Sequence, residues 1–233
     1  MIDLRLGCWQ DVLADVTCDA IICDPPYGNR THASVVVRDD ASGRTSGLCP
    51  DYSGWSPDDV RAFVTSWSSR CRGWMVTMTS HDLIPAWEAA HDEVGRYCFA
   101  PIPLVMRGMS VRMAGDGPSS WAVYAVVARP SNREFAAWGT LPGAYTGPRG
   151  DEAGGGRGKP EWLMNGLVRD YSRVGDLVCD PFAGWGSTLV AAVSNNRKAI
   201  GSEVDPGAFA EATRRIQRPL QLDVFGGAAW RQG

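Results

Sequence analysis

Short apolar runs alternate along the chain with stretches of helical period. Runs near residues 3–6, 19–23, 73–79, 97–105, 121–128, 177–180 and 198–202 predict strands, and amphipathic patterns near 58–70, 82–93, 160–172, 187–195 and 206–217 predict helices. Such alternation folds as an α/β doubly wound, Rossmann-like sheet, mostly parallel, with helices on both faces. Ala20-Ile21-Ile22-Cys23 and Leu177-Val178-Cys179 lack polar alternation, as central strands covered on both sides do. Ligands of these sheets bind beyond the carboxyl ends of the strands, so the residues after these two runs are where chemistry is expected.

Behind the first run stands Asp24-Pro25-Pro26-Tyr27. Two prolines fix φ near about −65° and remove two backbone donors, which leaves the Pro25 carbonyl as an acceptor beside the Asp24 carboxylate. Two acceptors and an aromatic face suit a flat ring that carries an amino group. Taken alone, the tetrapeptide also makes an ordinary strand-ending turn. Behind the second run, Asp180-Pro181-Phe182-Ala183-Gly184-Trp185-Gly186-Ser187 leads into a helix rich in Ala, Leu and Val. Glycines allow a ligand to approach backbone closely, and the helix N-terminus attracts an anionic group such as a carboxylate. About twenty residues further on, Glu203 ends the next strand, where an acid would hold a ribose diol.

These residues resemble the DNA amino-methyltransferases that use S-adenosyl-L-methionine, in the permuted order that puts the Asp-Pro-Pro-Tyr motif before the glycine turn. The resemblance spans most of the chain. It implies a cofactor site made by Asp180, Phe182, Ala183, Gly184, Gly186, Ser187 and Glu203, and a catalytic motif of Asp24, Pro25, Pro26 and Tyr27. Leu6-Gly7-Cys8-Trp9-Gln10-Asp11-Val12-Leu13 fills the slot of the family's N-terminal Gly-Asp segment, with Cys8 where an aspartate usually contacts the cofactor's adenine. Gly158-Lys159-Pro160-Glu161 looks like the family's Lys-Pro segment beside the cofactor's methionine part; a proline in the first turn also simply starts a helix. Asp at the head of the tetrapeptide is typical of adenine-N6 members, so the expected activity is site-specific methylation of the N6 amino group of a flipped adenine in double-stranded DNA. The alternatives are cytosine-N4 methylation of DNA, adenine-N6 methylation of RNA and, most distantly, a non-catalytic DNA-binding protein of the same fold. Similar stand-alone enzymes belong to phages and other mobile elements, and to restriction-modification systems.

Composition is compatible with this reading. At 233 residues and 44% hydrophobic, the chain builds one domain without metal or disulfide staples. Its expected division is a catalytic half at about 1–104, recognition and connecting segments at about 105–158, a cofactor half at about 159–217 and a tail at 218–233. Seven cysteines without a Cys-x-x-Cys pair, and three histidines apart from them, argue against a disulfide framework or a metal site. No apolar run is long enough to span a membrane and no export signal opens the chain, so a bacterial or phage-infected cytoplasm is expected. The net charge of −3 is unpromising for a nucleic-acid binder, yet Arg96 to Arg173 holds ten basic residues against six acidic.

Two stretches fall outside the strand-helix alternation. Gly28 to Pro57, rich in Gly, Ser, Asp and Arg, is expected to cover the site, with Asn29, Arg30, Thr31 and His32 near the target base; plain disorder is the other reading. Ser131 to Lys159 and the stretch from Val105 to Ser120, with Arg107 and Arg112, make a small candidate recognition region. In the tail, Gln221-Leu222-Asp223-Val224-Phe225 resembles the peptide that docks bacterial DNA-processing proteins on the sliding clamp; its other reading is Leu222 and Phe225 packed back on the domain. The family resemblance also implies a homodimer.

Overall fold

In the computed structural model, residues 1–28, 54–108, 121–132, 138–149 and 158–217 are described. The apolar runs become β1 (Ile2–Leu6), β2 (Ala20–Cys23), β3 (Met75–Thr79), β4 (Arg96–Cys98), β5 (Ile102–Arg107), β6 (Ala122–Pro130), β7 (Tyr145–Pro148), β8 (Leu177–Asp180) and β9 (Lys198–Glu203). They form one sheet in the order β1-β9-β8-β2-β3-β6-β5-β7, with β4 paired to β6. From β1 to β3 the neighbours are parallel; β6 runs antiparallel to β3 and β5, and β7 is parallel to β5. The chain leaves β2 toward β3 on one side and β8 toward β9 on the other. That reversal makes the crevice between the tips of β2 and β8 the topological switch point.

Helices α1 (Trp9–Val12), α2 (Pro57–Ser68), α3 (Ile84–Glu93), α4 (Glu161–Tyr171), α5 (Ser187–Ser194) and α6 (Pro206–Ile216) flank the sheet. Alternate residues of the strands enter two cores. Ile21, Cys23, Cys179 and Ile200 pack with Val60, Phe63, Trp67 and Trp87 of α2 and α3. Ile22, Val178 and Ala199 pack with Leu163, Leu167, Leu189 and Ala192 of α4 and α5. Burial on both faces is why the central strands carry no polar alternation. Cys23 and Cys179 are fully buried.

Local chemistry starts the helices. Ser56 caps α2, accepting from the Asp59 N–H while the Asp59 carboxylate accepts from the Ser56 N–H, and Pro57 opens the first turn. Asp205 caps α6 by accepting from the Ala208 N–H at 2.6 Å.

Two expectations change. The single strand at 97–105 is interrupted, because Cys98 pairs Ala128 and Ile102 pairs Ala125, so residues 99–101 face only two residues of β6. This bulge contains Pro101, which has no N–H for the ladder. Strand β7 was not expected, since Tyr-Thr-Gly-Pro carries little strand signal. It exists through tertiary contact: a Cβ at Gly147 would lie 2.4 Å from the Trp162 ring, and the Trp162 indole N–H donates to the Pro148 carbonyl at 2.7 Å.

Candidate active site

Asp24 follows the last residue of β2 and is half-buried, with Pro25 buried behind it. The Lys159 ammonium donates to its Oδ2, while Oδ1 is buried with no hydrogen-bond partner among the described residues. The same ammonium lies 5.5 Å from the centre of the Tyr27 ring. The Tyr27 hydroxyl is buried near Asp24 and Lys159 without making a well-formed hydrogen bond. Burial, then the Asp24 charge, push this phenol above its ordinary value. The motif is tied at its far end, where the Trp55 N–H donates to the Tyr27 carbonyl at 3.0 Å and the Gly28 N–H donates to Ser80 Oγ at 3.1 Å.

At the tip of β8 the turn is braced from within. Asp180 is buried and accepts from the Phe182 N–H at 3.0 Å. Burial raises its pKa to about 7, against the opposing pull of the Thr188 hydroxyl and the Phe182 N–H. Gly184 and Gly186 adopt left-handed φ of +52° and +78°, which a side chain would strain. Glu203, also buried, accepts from the Gly184 N–H at 2.7 Å and the Asp205 N–H at 2.8 Å, one on each carboxylate oxygen. Each oxygen keeps a second lone pair for a hydroxyl. Ala183 is buried, and its N–H donates to the Ser202 carbonyl at 2.9 Å. Gly186 is the N-cap residue of α5 without a side-chain cap, and Ser187 Oγ accepts from Arg215 at 2.9 Å, so this hydroxyl is engaged away from the turn.

A cleft of about 400 Å³ opens beside this turn, and it gathers four residues expected from sequence: Cys8, Pro26, Phe182 and Glu203. Trp9, Gln10, Trp55, Asp59 and Val204 line it as well, and sequence reasoning did not single them out. Trp9 adjoins Cys8, whose thiol donates to Gln10 Oε1 at 2.6 Å. Trp55 immediately precedes the capping box of α2, and its indole meets Phe182 edge-on at a centroid distance of 5.3 Å. Those adjacencies were the available signals. Aromatic walls and an acid with free lone pairs form a donor set that fits an adenosyl group.

Pro160 is buried as the N-cap of α4 and leaves Lys159 directed at Asp24, although the resemblance had put Lys159 with the cofactor. Arg107 is exposed at the end of β5, on the same sheet edge as Asp24, and its carbonyl accepts from the Arg149 N–H at 2.9 Å. Asn29, Arg30, Thr31, His32, Arg112 and Gln221 to Phe225 lie outside the described residues. Among the described residues, no His, Cys, Asp and Glu group has the arrangement to hold a metal ion, and no helix is long and apolar enough to cross a membrane. A second cavity, of about 480 Å³ between Trp74, Phe99, Trp138 and Tyr171, contains none of the expected site residues.

Residues 151–214 match the model of a family described as DNA methylase. A stretch of 46 residues is 46% identical to type II methyltransferase M.MjaI of Methanocaldococcus jannaschii, covering 20% of this chain and 15% of that protein. A stretch of 58 residues is 38% identical to DNA adenine methyltransferase YhdJ of Escherichia coli K12, covering 25% of this chain and 20% of the relative. The matched segments thus span less than a quarter of these relatives. Over the fold, the chain is similar to M1.HpyAVI in complex with SAM, with a TM-score of 0.68 at 20% identity over 93% of this chain and 100% of that one. It is also similar to the cytosine-N4-specific PvuII DNA methyltransferase, with a TM-score of 0.66 at 14% identity over 92% of this chain and 86% of that one.

Proposed function

We propose that this chain, of which residues 151–214 match a family described as DNA methylase, transfers a methyl group from S-adenosyl-L-methionine to the N6 amino group of adenine in DNA. The observation that carries this reading is the Asp24 site, a carboxylate with one buried oxygen without a partner among the described residues, beside a tyrosine ring, at a sheet's switch point next to a braced glycine turn. An adenine inside a duplex hides its amino group, so the nucleotide turns out of the stack at a cost of a few kcal/mol. Tyr27 then stacks on the base. Asp24 and the Pro25 carbonyl accept from the amino hydrogens, which draws the nitrogen lone pair out of the ring and aims it. Asp24 needs no raised basicity, because the proton becomes acidic once the nitrogen is alkylated. Bound S-adenosyl-L-methionine supplies a methyl group already activated by its positive sulfur, so placement is the protein's main contribution.

Phe182 and Trp55 would flank the adenosyl group, Glu203 would accept from its ribose hydroxyls, and Gly184 and Gly186 would admit it close to backbone. Gln10, beside Cys8, supplies a polar group where the family has an aspartate. Residues 1–104 and 159–217 would form the catalytic and cofactor halves of one domain, with 105–158 and the Arg107 edge facing DNA. Support for adenine comes from Asp24 at the head of the tetrapeptide and from the similarity to YhdJ, named an adenine methyltransferase. The cytosine-N4 reading is favoured by one observation, the comparable fold match to the PvuII enzyme.

Nucleoside mass spectrometry after incubation with DNA or RNA and isotopically labelled cofactor tests the reading. Labelled N6-methyldeoxyadenosine is the expected product. Labelled N4-methyldeoxycytidine, label only in RNA, or no label at all would each overturn it.

A further inference from the structure

Lys159 is held as a placed charge. Its neighbour Pro160 is buried, the Pro160 carbonyl accepts from the N–H groups of Leu163 and Met164 at 3.1 Å, and both of those side chains are buried in the core. Trp162 pins the same helix start to β7 through the Pro148 carbonyl. From this anchored backbone the lysine stem reaches Asp24, and its side chain is only 22% exposed. Burial by itself would lower the pKa of the ammonium, but the Asp24 carboxylate outweighs it and raises the value.

The contacts of this ammonium are those a target amino group would make. It donates to Asp24 Oδ2 and lies over the Tyr27 ring, a cation in the place of a stacked, amino-bearing base. Without a base and without Lys159, a carboxylate whose other oxygen is buried and unpartnered among the described residues would lack a counter-charge from them, which is costly. We propose that Lys159 is a positioning residue that neutralises Asp24 while no target base is present, its ammonium keeping the hydrogen-bonding place that the target's amino group takes over. The inference rests on the methyl-transfer reading above and deepens it.

Charge makes the role measurable without DNA. The methyl donor carries a positive sulfur and its product, S-adenosylhomocysteine, does not. In-line transfer to an amino group held by Asp24 brings that sulfur into the neighbourhood of the carboxylate. While Lys159 neutralises Asp24, the site has little electrostatic reason to prefer donor over product. A bare Asp24 favours the cation.

The test is calorimetric titration of the full chain with S-adenosylmethionine and with S-adenosylhomocysteine, in the parent protein and in Lys159→Met, Lys159→Gln and Lys159→Arg. The expected result is a preference for the donor that rises about 5-fold in Lys159→Met and Lys159→Gln and stays at the parent value in Lys159→Arg, as for a charge several ångströms from its partner. Adding Asp24→Asn to Lys159→Gln should return the preference to the parent value. Equal weakening of both ligands would overturn the inference, because Lys159 would then contact a part common to the two. Persistence of the raised preference without the Asp24 charge would overturn it too. Binding of neither ligand by the parent protein would instead overturn the methyl-transfer reading itself, and this inference with it.

Discussion

At the tips of β8 and β9, Asp180 and Glu203 spend their carboxylates on backbone N–H groups of the adjoining turns, whereas at the tip of β2 Asp24 has Lys159 on one oxygen and, among the described residues, nothing on the other. Acids at the tips of three strands of one sheet edge therefore have different work. Asp180 and Glu203 are built into the fold, and the ligand there meets a loop already shaped. Asp24 remains available, since one of its oxygens has no partner among the described residues and the other is held by a lysine side chain rather than by the backbone of the fold. Carboxylates near a switch point are thus told apart by what already occupies their lone pairs.

Removing Asp24 should break the comparison most severely. Asp24→Ala is expected to lower methyl transfer by at least ~10³-fold while cofactor affinity, measured by calorimetry, stays within a few-fold, because placement of the amino group is the main catalytic contribution. Equal loss of both would erase the division between the two tips. Glu203→Ala should act in the opposite sense, weakening cofactor binding roughly 10–100-fold and lowering stability by about 1–3 kcal/mol, since the Gly184 and Asp205 N–H groups lose their acceptor. Calorimetry and denaturant unfolding read the two effects. Gly201→Ala tests how tightly the β8 side is packed. Its Cβ would fall 2.7 Å from the Asp180 carbonyl, so a loss of roughly 1–3 kcal/mol is expected in denaturant unfolding.

His91 sharpens the comparison from outside the site. Its ring nitrogens are also buried without partners among the described residues, yet it stacks on Trp87 and faces no cleft described above. Burial, then the Arg96 charge, lower its pKa from 6.5 to about 3. Between those values the unfolded chain holds the extra proton, so stability is complete above pH 6.5 and falls as pH drops through the window, by up to about 1.4 kcal/mol per pH unit. Asp180, raised to about 7, contributes the opposite slope, and only a difference between proteins isolates His91. Melting curves of the parent and His91→Phe from pH 7 to 4 should diverge accordingly, with little change in cofactor binding. Tyr27→Phe should have the smallest effect. The hydroxyl makes no well-formed bond among the described residues, so stability should change by less than about 1 kcal/mol and the retained ring should keep methyl transfer within about tenfold.

Much of the fold was legible because its signals are local. Uninterrupted apolar runs marked β2 and β8, the serine-aspartate box with Pro57 marked α2, and the Asp24 tetrapeptide and the glycine turn declared themselves as strand tips. The legible parts failed where the partner decided. Tyr145–Pro148 is a strand because Trp162 packs on Gly147, and the bulge before Ile102 follows from its register with β6. Trp55 joined the site only when the fold returned it to Tyr27 and Phe182.

By itself, then, the sequence determined the class of sheet, the two chemical tips and the residue types that stand there, since apolar period, proline and glycine act on neighbours a few positions away. Only the tertiary structure decided that Lys159, 135 positions from Asp24, would sit on its carboxylate, and that Glu203 would brace the glycine turn through the Gly184 N–H. Those pairings depend on which strand tips and helix starts the sheet order brings together, and no local pattern encodes the distance between them.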